Sequence, residues 1–180
     1  MQLRAKNCSP ATVQALAESI LPITESAGVG LVINDFLPVA IAVHAPVCHL
    51  GQEDFFDARY THVSQIVPPG SPLKIGLSSH SPDQANRALA AGAHYLGVGP
   101  VFATRTKPSA TPATIDYVHW AATHVDIPWF AIGGIDLTNL DEVLAAGAQR
   151  IAVVSAILTA PDIAQACRKF KDRLPNIHDS

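Results

Sequence analysis

Short aliphatic runs recur along the chain, and an amphipathic stretch follows nearly every one. The runs fall at 29–33, 47–50, 73–77, 95–98, 129–132 and 151–154, with a shorter one at 2–5. Most are apolar at nearly every position instead of alternating, the pattern of strands covered on both faces. Between them the spacing predicts helices over 10–27, 37–43, 58–66, 82–91, 114–123, 137–146 and 161–173. Ser9-Pro10 and Ser81-Pro82 read as an N-cap followed by a first-turn proline. Gly28, Gly92 and Gly147 sit just past helical stretches, where a left-handed C-cap favours glycine. Strand–helix alternation of this kind requires right-handed crossovers and a parallel sheet.

Two architectures satisfy that constraint, an open doubly wound sheet and a closed barrel. An open nucleotide-binding sheet places a glycine-rich phosphate turn after its first strand. No G-x-G-x-x-G or Walker sequence occurs, and the first run ends in Arg4-Ala5-Lys6. Polar residues instead follow almost every run: Arg4 and Lys6, Asn34-Asp35, Gln52 to Asp54, Ser78 to His80, Thr104 to Lys107, Gly133-Gly134 and Ser155. In a barrel these positions meet at the C-terminal rim, where active sites are built. The expected fold is therefore α/β, a TIM (β/α)8-type barrel. The 180 residues read as one domain over 1–180. They hold seven strand–helix units, so the barrel is expected to lack one.

Composition removes several function classes. Apolar residues make up 48% and charged residues 15%, with 12 Lys and Arg against 15 Asp and Glu. That balance excludes intrinsic disorder and a basic nucleic-acid surface, which needs clustered Lys and Arg. Cys8, Cys48 and Cys167 are widely spaced and form no C-x-x-C pair. They argue against a disulfide framework or zinc site and for a reduced, cytoplasmic setting. Residues 1–10 lack the apolar core of a signal peptide, and no apolar run approaches the ~20 residues that cross a bilayer. Neither a membrane nor a nucleic-acid partner is expected.

The candidate chemistry lies in the polar strand ends. Asp35 and Asp54 each follow a strand closely and suit Mg²⁺, which keeps several waters and takes further ligands from phosphate oxygens. The plain alternative is that each merely opens the helix that follows. Arg4, Lys6 and Lys107 form a candidate anion clamp, Arg4 and Lys6 alternating along a strand so that both point to one side. An ion-paired structural Arg4 and a solvated Lys107 are the bland readings. Basic residues beside two carboxylates suit diphosphate with Mg²⁺. Gly133-Gly134 and Val154-Ser155 end the last two strands, where backbone N–H groups of such barrels bind phosphate. His80 is a candidate acid–base group, yet a lone histidine at a helix start is more often structural. Ser78 lacks a nucleophile elbow and a base. Cys48 reads as a small core residue.

Taken in order, these motifs resemble the thiamine-phosphate synthase family, together with its relative the thiazole tautomerase. The resemblance is carried by Gln2-Leu3-Arg4-Ala5-Lys6, Ile33-Asn34-Asp35, His49-Leu50-Gly51-Gln52-Glu53-Asp54 and Gly76-Leu77-Ser78-Ser79-His80-Ser81. It continues through Gly97-Val98-Gly99-Pro100-Val101-Phe102, Thr104-Arg105-Thr106-Lys107, Ala131-Ile132-Gly133-Gly134-Ile135 and Val153-Val154-Ser155-Ala156-Ile157. The resemblance implies a transferase that joins hydroxymethylpyrimidine diphosphate to a thiazole phosphate, giving thiamine phosphate and diphosphate. It implies Mg²⁺ on Asp35 and Asp54, and diphosphate on Arg4, Lys6, Asn34 and Lys107, with Thr104 and Thr106 nearby. Gln2 and Ser78 would contact the pyrimidine, and Gly134, Val154 and Ser155 the thiazole phosphate. Arg4, Lys107 and Ser78 are the residues expected to act in the chemical step. Diphosphate departure and capture of a pyrimidine carbocation need leaving-group electrostatics and positioning more than a base.

Two departures from the family pattern stand out. Phe36 occupies a position where the family carries Arg, and the strand and helix that precede the Gln-x-Arg-x-Lys strand are absent. Such a gap would expose strand edges. A second copy of the chain in a homo-oligomer, closure by the last helix and neighbouring strands, or a longer gene product would each account for it. Tautomerase and non-catalytic binding of thiamine intermediates are the competing functions. Asp54 and the Thr-x-Thr-Lys run favour the synthase.

Overall fold

The computed structural model of the chain describes residues 1–103 and 113–175. In chain order the elements are β1 (Gln2–Leu3), α1 (Pro10–Ser26), β2 (Val32–Asn34), α2 (Leu37–Ala42), β3 (Val47–Leu50) and β4 (Lys74–Ser79). They continue as α3 (Pro82–Ala90), β5 (Tyr95–Val98), α4 (Thr114–His124), β6 (Trp129–Ile132), α5 (Leu140–Ala145), β7 (Ile151–Ala152), α6 (Ser155–Leu158) and α7 (Ile163–Lys171). The chain divides into two compact units. The first comprises Met1–Ser78 and Arg87–Tyr95, the second Ser79–Asn86 and Leu96–Ser180.

In the first unit the strands pair in parallel and in chain order. Leu3 is opposite Ile33, Ile33 opposite Cys48, and Cys48 opposite Ile75. Ile33, Cys48 and Ile75 are fully buried, as uninterrupted apolar runs require. Helix α1 starts where Ser9 Oγ accepts the Thr12 N–H at 3.2 Å, with Pro10 in the first turn. It buries Val13, Ala17 and Thr24.

The helix expected over 58–66 does not form. The chain instead makes a wide helical turn at Glu53–Asp57 and a tight one at Val63–Gln65. Local side-chain bonds compete with the helix there: Gln65 Oε1 accepts the N–H groups of Thr61 and His62, and His62 Nδ1 accepts that of Ser64. Arg59 adopts a left-handed φ of 67°, which a continuing helix forbids.

The second unit pairs β5, β6 and β7 in parallel, with Leu96 opposite Trp129 and Ala131 opposite Ile151. Its core includes Leu96, Val98, Val118, Leu140 and Val143, all fully buried. Ser79 is buried there too; its Oγ donates to Gly97 O at 2.9 Å and accepts the Tyr117 hydroxyl at 2.6 Å. Strand β7 stops two residues short of the predicted run, because Val154 already caps α6. Parallel strands in chain order, alternating with helices, give the α/β barrel-type fold expected. Among the described residues no helix is long and apolar enough to cross a membrane.

Gly76 illustrates how packing depends on a missing side chain. A Cβ there would lie 2.0 Å from Cε1 of Tyr95, whose ring occupies that space. Replacing Gly76 by Ala must displace the ring. Gly76→Ala is therefore expected to cost about 1–3 kcal/mol, the usual range for overpacking, read as a lowered urea midpoint. An unchanged midpoint would show that the ring is not seated there.

Candidate functional site

The first unit gathers four of the predicted residues at the ends of β1 and β2. Strand β1 ends at Leu3, so Arg4 and Lys6 lie in the loop after it and do not alternate along a strand as expected. Both are drawn to the next strand end: Lys6 Nζ lies 3.2 Å and Arg4 Nη1 4.0 Å from Asp35 Oδ2. Asp35 follows β2 with a left-handed φ of 66°, and its N–H donates to His49 O at 2.9 Å. It does not cap α2, whose N-cap is Phe36 with no side-chain bond. Burial raises the Asp35 carboxyl above its usual range, and the charge of Asp54 adds to that, while Lys6 and Arg4 oppose it. Asn34 is 3% exposed, and its Nδ2 is a buried donor without a hydrogen-bond partner. An orphaned buried donor costs free energy that an anionic ligand would recover.

Asp54 lies in the Glu53–Asp57 turn, where Oδ2 accepts the Gly51 N–H at 3.1 Å. Gln52 ties this turn to the end of β4: its Nε2 donates to Ser78 O at 2.6 Å. Arg87 braces Gln52 from outside, donating to Oε1 at 2.8 Å while its guanidinium stacks 3.7 Å over the Phe56 ring. Gln2 lies on β1 opposite Val32 and is exposed. Among the described residues no group of three or more His, Cys, Asp or Glu is placed to hold a metal. The acidic set is two carboxylates.

Ser78 ends in a contact that the sequence did not suggest. Its Oγ lies 2.9 Å from Nε2 of His49, whose Nδ1 lies 2.8 Å from the Tyr95 hydroxyl. His49 is 9% exposed. Sequence reading passed over it because it sits inside the apolar run 47–50, where a lone imidazole is easily read as core. The available signal was its place two residues before Gly51-Gln52-Glu53-Asp54. Burial lowers its pKa to about 4; Arg4 pushes the same way and Asp54 opposes. Its neighbour Cys48 is the core residue expected, its thiol pushed up to about 12 mainly by burial.

In the second unit His80 takes the structural role: Nδ1 donates to Gly99 O, and the His80 N–H donates to Gln84 Oε1 at 2.9 Å. Gly133 and Gly134 have φ of 100° and 66°, and a Cβ on Gly134 would lie 2.6 Å from Ala103 O. This turn therefore admits only glycine. Asn139 Nδ2 secures it by donating to Gly134 O at 2.9 Å. Val154 and Ser155 are exposed at the start of α6. Thr104, Thr106 and Lys107 lie outside the described residues.

The depressed pKa of His49 makes a stability prediction. The unfolded imidazole takes up a proton near pH 6.5, the folded one only near 4. Between those values the unfolded chain binds more protons, so stability falls as the pH drops. The contribution is complete above pH 6.5 and lost by about pH 4. Its size is on the order of 3 kcal/mol at 1.36 kcal/mol per pKa unit. Urea denaturation across this window is expected to show a steeper loss for the wild type than for His49→Gln. Parallel curves would contradict a neutral buried imidazole.

The family profile described as thiamine monophosphate synthase matches residues 1–157. The chain is 45% identical over 177 residues to the thiamine-phosphate synthase of Thermus thermophilus, covering 97% of this chain and 82% of that one. It is 43% identical over 174 residues to that of Gloeobacter violaceus, covering 97% of this chain and 50% of the longer relative. Among solved structures, thiamine phosphate pyrophosphorylase from Pyrococcus furiosus aligns with a TM-score of 0.83 at 30% identity, over 95% of this chain and 80% of that one. Motifs, strand-end site and fold agree: the chain belongs to the thiamine monophosphate synthase family.

Proposed function

We propose that the chain is a transferase of the thiamine-phosphate synthase type, joining hydroxymethylpyrimidine diphosphate to a thiazole phosphate with release of diphosphate. The observation that carries this most directly is the Arg4–Lys6–Asp35 cluster beside the orphaned Asn34 amide. The curated relatives bear the synthase name, which favours this activity over tautomerisation or binding without turnover.

The pyrimidine methylene–oxygen bond breaks, and its electron pair leaves with the diphosphate. The thiazole nitrogen lone pair then forms the new C–N bond, and no proton has to move. Arg4, Lys6 and Asn34 would donate to the departing diphosphate, with Lys107, Thr104 and Thr106 assigned to the same task by family pattern. Donors already in place where charge develops lower the barrier without reorganisation. Gln2 and Ser78 would hold the pyrimidine. In the second unit, Gly134, Val154 and Ser155 would hold the thiazole phosphate; support there is the close backbone packing that only glycine permits.

Mg²⁺ fits the acidic residues. Asp54 raises the Asp35 pKa by repulsion, a strain that a cation between carboxylates relieves, and a two-carboxylate set leaves room for phosphate oxygens. Asp35 and Asp54 would hold the ion, which supplies charge neutralisation for the leaving group. The free cysteines suit a reducing, cytoplasmic setting. A homo-oligomer belongs to the same proposal; Ile23 in α1 and Leu158 in α6 are apolar side chains 68% and 64% exposed.

Asp54→Asn keeps an acceptor for Gly51 but removes the charge. Diphosphate release in the presence of both substrates and Mg²⁺ is expected to fall roughly a hundredfold or more. Undiminished release would remove Asp54 from the metal site, and no release by the wild type would remove the synthase assignment. Sedimentation velocity tests the oligomer, a monomeric boundary at assay concentration counting against it.

A further inference from the structure

We propose that Arg87, outside the site, is a positioning residue for this reaction: by clasping Gln52 and Phe56 it fixes the turn between them, and so sets the Asp54 carboxylate for the metal-bound diphosphate. The inference rests on the metal role proposed for Asp54. Asp54 is exposed and lies midway between residues 52 and 56. Arg87 holds both of those residues. Its Nη2 donates to Gln52 Oε1 at 2.8 Å, and its guanidinium carbon lies 3.7 Å from the centre of the Phe56 ring. Gln52 in turn fastens the start of the turn to the end of β4, where its Nε2 donates to Ser78 O at 2.6 Å.

This chain of bonds has its direction fixed at both ends. A guanidinium only donates and a backbone carbonyl only accepts, so a single orientation of the Gln52 amide satisfies both. Among the described residues Arg87 forms no ion pair, although Asp83 stands one turn earlier on α3 at the usual (i, i+4) spacing. Its guanidinium reaches across to the turn instead. Within the turn Phe55 is fully buried and meets the Phe56 ring edge-on at 4.9 Å. Phe55 thus pins the turn to the core, and Arg87 pins the residues on either side of Asp54. The Gly51 N–H bond to Asp54 Oδ2, at 3.1 Å, lies at the long end of the usual range and is a weak hold for an exposed carboxylate.

Two measurements on the full chain decide the matter. Calorimetric titration with magnesium diphosphate reads the site without turnover. Arg87→Ala and Gln52→Ala should each weaken this binding about tenfold, the scale of one hydrogen bond to a charged group, and the double variant should lose no more than either alone. Gln52→Ala changes no charge, so it separates positioning from the pull of a distant cation. In the synthase assay the half-saturating Mg²⁺ concentration should rise by the same factor in both variants. Excess Mg²⁺ should restore kcat, and KM for the thiazole phosphate should hold. The second measurement is hydrogen exchange of the Gly51 amide in the metal-free protein, expected to be about tenfold faster in both variants. Wild-type binding by either variant, additive losses or unchanged Gly51 exchange overturns the proposal. So does a loss of kcat that Mg²⁺ cannot restore in a variant folded by circular dichroism. A wild type that neither binds magnesium diphosphate nor releases diphosphate from substrate overturns the synthase assignment, while Gly51 exchange still judges the clasp.

Discussion

One row of parallel register underlies the first unit. Asn34, His49 and Gly76 lie opposite one another on β2, β3 and β4 and therefore share a face. Each depends on the next. Gly76 lacks a side chain, so the Tyr95 ring can lie over it and meet His49. His49 then reaches Ser78, and its backbone carbonyl takes the N–H of Asp35, immediately after Asn34. The alternate row, Ile33, Cys48 and Ile75, is fully buried and apolar. A slip of one residue would exchange the two rows and place hydrocarbon where the polar groups stand.

Electrostatics at this row follow from burial combined with a few charges. Asp35 is held by Lys6 and Arg4, yet its carboxyl is pushed up by burial and by Asp54. The same surroundings keep His49 neutral and Cys48 protonated. Desolvation leads in all three. The proposed magnesium-bound diphosphate would bring a cation to these carboxylates and an anion to the unpaired Asn34 donor.

Much of this was legible in the chain because its signals are local. Uninterrupted apolar runs announced buried parallel strands, and Ser9-Pro10 announced the start of α1. Gly133-Gly134 marked a strand end, and the structure makes it a turn that tolerates no Cβ. The signals failed where a local bond outbid a periodic pattern. Gln65 and His62 cap their own turn and abolish the helix expected over 58–66. Arg4 and Lys6 alternate in the sequence like strand residues, but β1 ends at Leu3 and both side chains lie beside Asp35. His80 drew notice as a histidine at a strand end, while His49 was hidden in an apolar run.

By itself, the sequence determined the strand–helix alternation, the parallel sheet and the family. Those depend on hydrophobic periodicity, capping and the residue types at strand ends, all of which are written over short stretches of chain. Only the tertiary structure decided which side chains meet. The partners of His49 come from positions 46 and 29 residues away, and no local pattern encodes a contact of that span. It arises because register and a glycine bring three strands into one row, and because burial then sets the charge of what stands there.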